Sequence, residues 1–219
     1  MPVRHATQTS ESMELAVFLA LSGGVMDAYS YSARGHVFAN AQTGNMLLLG
    51  VGLSQGDLGG CLRYLLPVVS FALGIAAAHA LKLRAPRRAL HWRQIVLACE
   101  MLLLVCVAAL PESLNLLANS LMSLACGMQV QAFRKLHGHA FATTMCIGNL
   151  RSGTQALVSF LHARERSHLE TGLLYYFVIA CFVLGAVLGN HLVGPWGLQA
   201  ILASPALLAV AFFLMFRVR

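Results

Sequence analysis

Long apolar blocks separated by brief polar breaks run the length of this chain. Thr171 to Phe216 contains no Asp, Glu, Lys or Arg, and Gly194-Pro195-Trp196-Gly197 near its middle is a turn signal that divides it in two. Ser113 to Phe133 is also uncharged, Tyr64 to Leu81 is another such block, and Gln94 to Pro111 carries a single acid, Glu100. Blocks of this length and apolarity predict membrane-spanning helices. The first apolar segment holds Asp27, lacks a small-residue cleavage site and is followed by further spans, so it reads as a retained helix rather than a signal peptide.

The pattern is written twice. Gly35-His36-Val37-Phe38-Ala39 recurs 103 residues later as Gly138-His139-Ala140-Phe141-Ala142. At offset 104, Gly23 and Ala28 match Gly127 and Ala132, Gly44-Asn45 matches Gly148-Asn149, and Asp27 falls opposite Gln131. Phe71-Ala72-Leu73-Gly74 returns as Phe182-Val183-Leu184-Gly185. The matches concentrate at glycine and polar positions, as in transporters and channels built from internal repeats. We read one integral membrane domain over residues 1–219, with repeat 1 at about 13–111 and repeat 2 at about 114–217.

Two segments decide the topology. Gly35 to Gly56 is uncharged but polar in its first half and punctuated by glycine; its counterpart, His139 to Ala163, carries Arg151. If both dip into the membrane and return, the chain has six spans plus two re-entrant segments and its halves are inverted. If both cross, it has eight spans and parallel repeats. With six spans and cytoplasmic termini, all 15 Lys and Arg except Arg34 and Arg63 lie inside. The eight-span alternative divides them far more evenly and strands Arg151 in the bilayer. The positive-inside rule therefore favours an all-α protein of six transmembrane helices and two re-entrant segments.

Composition agrees with this reading. The chain is 58% hydrophobic and 11% charged, with a mean hydropathy of +0.71, against about 25% charge in a soluble domain. The net charge of +7 does not point to nucleic acid, because the basic residues flank spans. The densest group, Lys82, Arg84, Arg87, Arg88 and Arg93, predicts a cytoplasmic loop over 82–93 beside anionic lipid. Six cysteines without CxxC spacing read as reduced thiols.

Asp27 inside the first span needs a partner or a task; a proton or cation site and a structural hydrogen bond are both open. Asn40, Thr43, Gly44 and Asn45 form the tip of the first re-entrant segment, and Thr143, Thr144, Gly148 and Asn149 the second. Thr-Gly-Asn before an apolar run suits a capped half-helix, and two half-helix N-termini meeting at mid-membrane favour an anion or polar solute. Gln129, Gln131 and Arg134 precede the second tip; Arg134 either snorkels to the interface or contacts an anionic substrate. His36 and His139, with Met26 and Met128 nearby, lack compact ligand spacing and read as boundary residues, not a metal site. No catalytic motif is present, and no cofactor is expected.

Gly24 to Ala28 (Gly-x-x-Asp-Ala), Phe38 leading into Thr43-Gly44-Asn45, and Gly127-x-Gln129-x-x-x-x-Arg134 leading into Thr143-Thr144 together resemble the YoaK-like family of small bacterial inner-membrane proteins. The likeness covers nearly the whole chain. It implies a multi-span protein of a bacterial inner membrane and leaves activity open. The family's second half usually reads Thr-Thr-x-x-Thr-Gly; here the fifth position is Ile147.

The expected function is a secondary transporter or facilitator of a small polar or anionic solute, held between the tips, with Asp27 a candidate for proton coupling. A passive channel and a non-transporting scaffold are the alternatives. The expected partners are the lipid bilayer and an unidentified small solute, with Gly185 and Gly189 placed to pack helices within the fold or in a homo-oligomer.

Overall fold

Several polar side chains are fully buried in this molecule while many large apolar ones are exposed. The computed structural model describes residues 13–84, 90–136, 139–140, 144 and 146–217. Among these residues are eight α-helices: α1 Met13–Ala33, α2 Gln42–Ser54, α3 Leu58–Arg84, α4 Leu90–Ala108, α5 Asn115–Ala132, α6 Cys146–Ala163, α7 Arg166–Trp196 and α8 Ala203–Arg217. Short 3-10 turns at Glu112–Leu114 and Gly197–Leu202 lead into α5 and α8, and Lys135–Leu136 pairs with His139–Ala140 in a minimal antiparallel ladder. The protein is all-α. Ser22, Arg34, Asn45, Glu100, Ser123, Gln129 and Ser204 are fully buried, whereas Leu73, Leu102, Leu184 and Phe213 face outward. That inversion of the soluble pattern suits a hydrocarbon surround, where polar groups must be satisfied internally. The helix Leu58–Arg84 and the run Arg166–Met215 are long and apolar enough to cross a bilayer by length and composition.

Glycines set how the helices meet. A Cβ at Gly24 of α1 would collide with the Phe182 carbonyl of α7, and one at Gly127 of α5 with the Phe71 carbonyl of α3. From the opposite side, Gly185 abuts the Leu21 carbonyl and Gly74 the Leu124 carbonyl. Backbones this close gain packing that larger side chains would forbid. Gly185 and Gly189 are thus spent inside the fold, against Leu21 and Val25, rather than on a second copy. Both pairs run parallel: Leu21 and Val25 follow Gly185 and Gly189, while Gly74 lies by Leu124 and His79 by Gln131. α1 and α5 cross antiparallel, since Asn119 Nδ2 donates to the Arg34 carbonyl and Gln129 Nε2 to the Leu19 carbonyl. α2 packs on α3 and α6 on α7, and α1 also meets α8 as α5 meets α4.

These contacts correct the register of the duplication. Gly24, not Gly23, does in α1 what Gly127 does in α5, so the working offset here is 103. One residue turns a helix by about 100°, so the shift matters. Asp27 corresponds to Val130, and the match with Gln131 is set aside.

After α1 the chain doubles back. Gly35 and His36 take positive φ (83° and 60°) to make the turn. Residues 37–41 then run beside α1 toward its middle: Ala39 N–H reaches Ser30 Oγ, and Asn40 N–H reaches Asp27 Oδ1. α2 leads away again, and its far end meets the start of α3, where a Cβ at Gly52 would lie 3.1 Å from Cys61 Sγ. Arg34, Gly59, Arg63, Ser113 and Asn115 share a cavity of about 400 Å³ at that end of the molecule. Arg34 is fully buried there. Its guanidinium donates to the Val107, Leu110 and Pro111 carbonyls, to Asn115 Oδ1 and to Tyr29 Oη, which ties α1 to the C-terminal end of α4.

Two sequence expectations change. The Gly194-Pro195 turn falls later, because α7 continues through Pro195 to Trp196 and the chain turns at Gly197 (φ 51°). Much of the 82–93 loop is helix: Lys82 and Arg84 end α3, and Arg93 lies in α4. Lys82 Nζ and Arg93 Cζ lie 6.0 and 5.6 Å from the Trp92 ring centroid. Arg87 and Arg88 lie outside the described residues.

Candidate functional site

A cavity of about 1120 Å³ lies where the two repeated segments approach each other. Its wall includes Asp27 and Tyr31 of α1, Asn40 to Thr43 at the start of α2, Gln131 and Arg134 at the end of α5, Thr144, and Cys146 to Asn149 with Ser152 at the start of α6. Phe38, Phe71 and Phe182 supply the apolar part. Both short helices therefore begin at this cavity, and a helix N-terminus presents free N–H groups and partial positive charge.

The first tip is held by side chains standing in for a backbone ladder. Asn45 Oδ1 accepts Phe38 N–H at 3.0 Å, and Asn45 Nδ2 donates to the Phe38 carbonyl at 2.7 Å. Gln42 Nε2 and Ser123 Oγ both donate to the Ala39 carbonyl. Asn40 N–H donates to Asp27 Oδ1 at 2.7 Å, and Asn40 Nδ2 to the Gly23 carbonyl at 2.7 Å. Irregular backbone buried among helices needs such an accounting. Asn40 Oδ1 is left without a partner among the described residues, although it is buried and its residue lines the cavity.

The second tip converges on the same residue of α1. A Cβ at Gly23 would sit 2.6 Å from Thr144 Cγ2, so this glycine receives Thr144 on its bare face while its carbonyl holds Asn40. Thr144 Oγ1 also lies 3.9 Å from Cys126 Sγ of α5. Gly23 is one point beside the cavity where the two halves touch, as the Gln42–Ser123 hydrogen bond is another.

Of the residues singled out in the sequence, Asp27, Asn40, Thr43, Gln131, Arg134, Thr144, Gly148 and Asn149 line the cavity. Arg134 is exposed and makes no hydrogen bond or ion pair among the described residues. Gln131 Nε2 lies 3.1 Å from His79 Nδ1. Three others stand off the cavity lining. Asn45 is consumed in closing the first tip, Gly44 is packed beneath the Phe38 ring, and Gln129 bridges α5 to α1. Thr143 lies outside the described residues. Gln42, Tyr31, Cys146 and Ser152 were not singled out, yet each lines the cavity. Gln42 had a signal in the polar run that includes Asn40, Thr43 and Asn45; in the fold it donates across to Ser123 of the other half.

Of the two readings left open for Asp27, the structure shows the structural hydrogen bond. Its carboxyl accepts the Asn40 N–H and it lines the cavity. No group of three or more His, Cys, Asp or Glu is placed to hold a metal ion among the described residues. The His36 ring packs edge-on to Tyr31 at 4.8 Å.

A polar, cavity-bearing core enclosed by outward apolar helices defines an all-α membrane protein. The chain belongs to the family described as protein of unknown function (DUF1275), whose model matches residues 15–214. It is 26% identical over 186 residues to the UPF0700 transmembrane protein YoaK of Bacillus subtilis (strain 168), a stretch covering 80% of each chain. No solved structure matches it.

Proposed function

We propose that the protein is a secondary transporter or facilitator of a small polar solute, anionic by preference, bound in the cavity between the two tips. The observation that carries this reading is the convergence of both short-helix N-termini and Arg134 on one cavity of about 1120 Å³, close to the size of known small-molecule sites. The tips differ in charge. At the first, the Asp27 carboxylate already answers the start of α2; at the second, the corresponding Val130 brings no charge. An incoming anion therefore goes to the α6 side, with Arg134 as its counter-charge.

The proposed topology is six crossings by α1, α3, α4, α5, α7 and α8, with the segments ending in α2 and α6 re-entrant and the repeats inverted. Support comes from the antiparallel crossing of α1 and α5, and from neighbour sets that survive exchange of the two halves. α2, with 13 residues, rises about 20 Å, too short for a hydrocarbon core of about 30 Å. Lys82, Arg84, Arg134, Arg164, Arg166 and Arg217 then fall at cytoplasmic ends in a bacterial inner membrane, with both termini inside.

The test is flux into liposomes holding the purified full chain, using a panel of small carboxylates, inorganic anions and neutral polar solutes. At least one anion should be carried, and Arg134→Gln should weaken its apparent affinity about tenfold or more. A folded protein that moves none of the panel overturns the proposal and favours a scaffold. Counterflow against simple leak separates transporter from channel, and maleimide access to Cys146 reports whether the second tip meets water.

A further inference from the structure

Glu100 sits halfway along α4 on the face that carries Val96, Leu97, Leu104 and Val107, and all five residues are fully buried. Neither carboxyl oxygen has a hydrogen-bond partner among the described residues. The elements packed on α4 are α5, α8, the 197–202 turn and, lightly, α3. From α5 the titratable group facing this region is Cys126, which lies within electrostatic reach of both Glu100 and Asp27. Residues 197–216 contain no ionisable side chain. α3 offers His79, beside Gln131, and Lys82, over Trp92. On α4 itself, Arg93 shares the face of Glu100 but stands two turns away, about 10 Å along the axis, and stacks on Trp92.

The duplicated fold shows what this position looks like when it is satisfied. The buried stripe Val96, Leu97, Glu100, Leu104, Val107 maps at offset 104 onto Ala200, Ile201, Ser204, Leu208, Ala211, and each of those is also fully buried. Glu100 thus corresponds to Ser204. Ser204 Oγ bonds Ser22 Oγ of α1 at 2.6 Å. At the offset of 103 that relates α1 to α5, the counterpart of Ser22 is Ala125, which has no polar atom to offer. One seam closes on a neutral hydroxyl pair; the other holds an acid whose carboxyl oxygens have no hydrogen-bond partner among the described residues.

We infer that Glu100 is a proton-binding site: its carboxylate takes up one proton from water and returns it to water when the seam between α4, α5 and α8 loosens. A buried carboxylate with neither counter-charge nor hydrogen bond is strongly disfavoured, and protonation removes the charge without requiring a partner. A metal cation is a poor alternative occupant, because it demands several oxygen ligands where this wall offers aliphatic groups and a thiol. The inference stands apart from the solute proposal, since Glu100 does not line the large cavity.

Infrared difference spectroscopy on the full chain in liposomes, wild type minus Glu100→Gln, tests it without any solute. The expected result at neutral pH is a protonated-carboxyl carbonyl band worth one group per chain, lost in the variant and shifted on transfer to heavy water. Absence of the band means an ionised, partnered Glu100 and overturns the inference. So does a band that never shifts in heavy water, which marks a sealed acid that exchanges no proton. Should Glu100→Gln fold poorly, the double substitution Glu100→Ser with Ala125→Ser copies the Ser204–Ser22 pair and should remove the same band from a folded protein.

Discussion

The two tips share a plan and differ in what holds them. At the first, Asp27, Ser30, Asn45 and Ser123 take up the polar groups of residues 38–40, so the segment is anchored mainly within its own half, to α1 and α2. At the second, Asp27 is replaced by Val130 and Thr43 by Ile147, whose side chain is 80% exposed. Thr144 instead leans across onto Gly23 of the other half. Each tip brings a helix N-terminus to the cavity; the first adds the Asp27 carboxyl, and the second adds Arg134 and the apolar side chain of Ile147. The two segments share their geometry at the cavity, and a few positions, Val130 and Ile147 among them, set their polarity apart.

The harshest way to break the comparison is to fill the crossings beneath it. Gly24→Ala and Gly127→Ala both drive a methyl into a carbonyl on the facing helix. Each should cost about 3 kcal/mol, the upper part of the overpacking range, and the two costs should be similar. Monodisperse yield and thermal midpoint of the purified variants check this, and unequal losses would break the equivalence of the two crossings. Asn45→Ala strands the Phe38 N–H and carbonyl, for a loss of about 1–3 kcal/mol read in the same assay. Maleimide labelling of Cys146 at the second tip should change little in that variant.

Charge at the tips can be tuned more gently. Val130→Asp gives the second tip the carboxylate that the first one has. It should lower anion affinity about tenfold, measured by ligand-induced thermal shift with any anion the liposome panel identifies; unchanged affinity would place the anion elsewhere. Ile147→Thr restores the hydroxyl found at Thr43 and should alter stability by no more than about 0.5 kcal/mol, as for surface changes generally. A large gain there would mean that this position is less open than its exposure indicates.

Much of this was legible in the chain because it rests on residue type. Uncharged blocks gave the helices, the doubled Gly-His-x-Phe-Ala and Gly-Asn signatures gave the duplication, and the polar starts of the two inserts pointed to the tips that line the cavity. Direction within a helix was not legible. Gly23 and Gly24 are neighbours in sequence, yet one receives Thr144 and the other abuts α7. Thr43 and Asn45 sit two apart, yet one lines the cavity and the other closes the loop. Arg34 read as an outside charge and is a buried clamp on α4.

The amino-acid order by itself therefore determined an all-α membrane protein with short signatures that recur along it, because apolar length and repeated motifs are properties of the chain. Only the tertiary structure decided which copy of each position meets which partner. The offset between copies is 103 in α1 and α5, 104 at the tips and in α4 and α8, and 111 in α3 and α7, and each extra residue rotates a helix face by about 100°. The fold pairs Ser204 with Ser22 in one seam and leaves the Glu100 carboxyl without a partner among the described residues in the other, and no linear alignment at a single offset contains that difference.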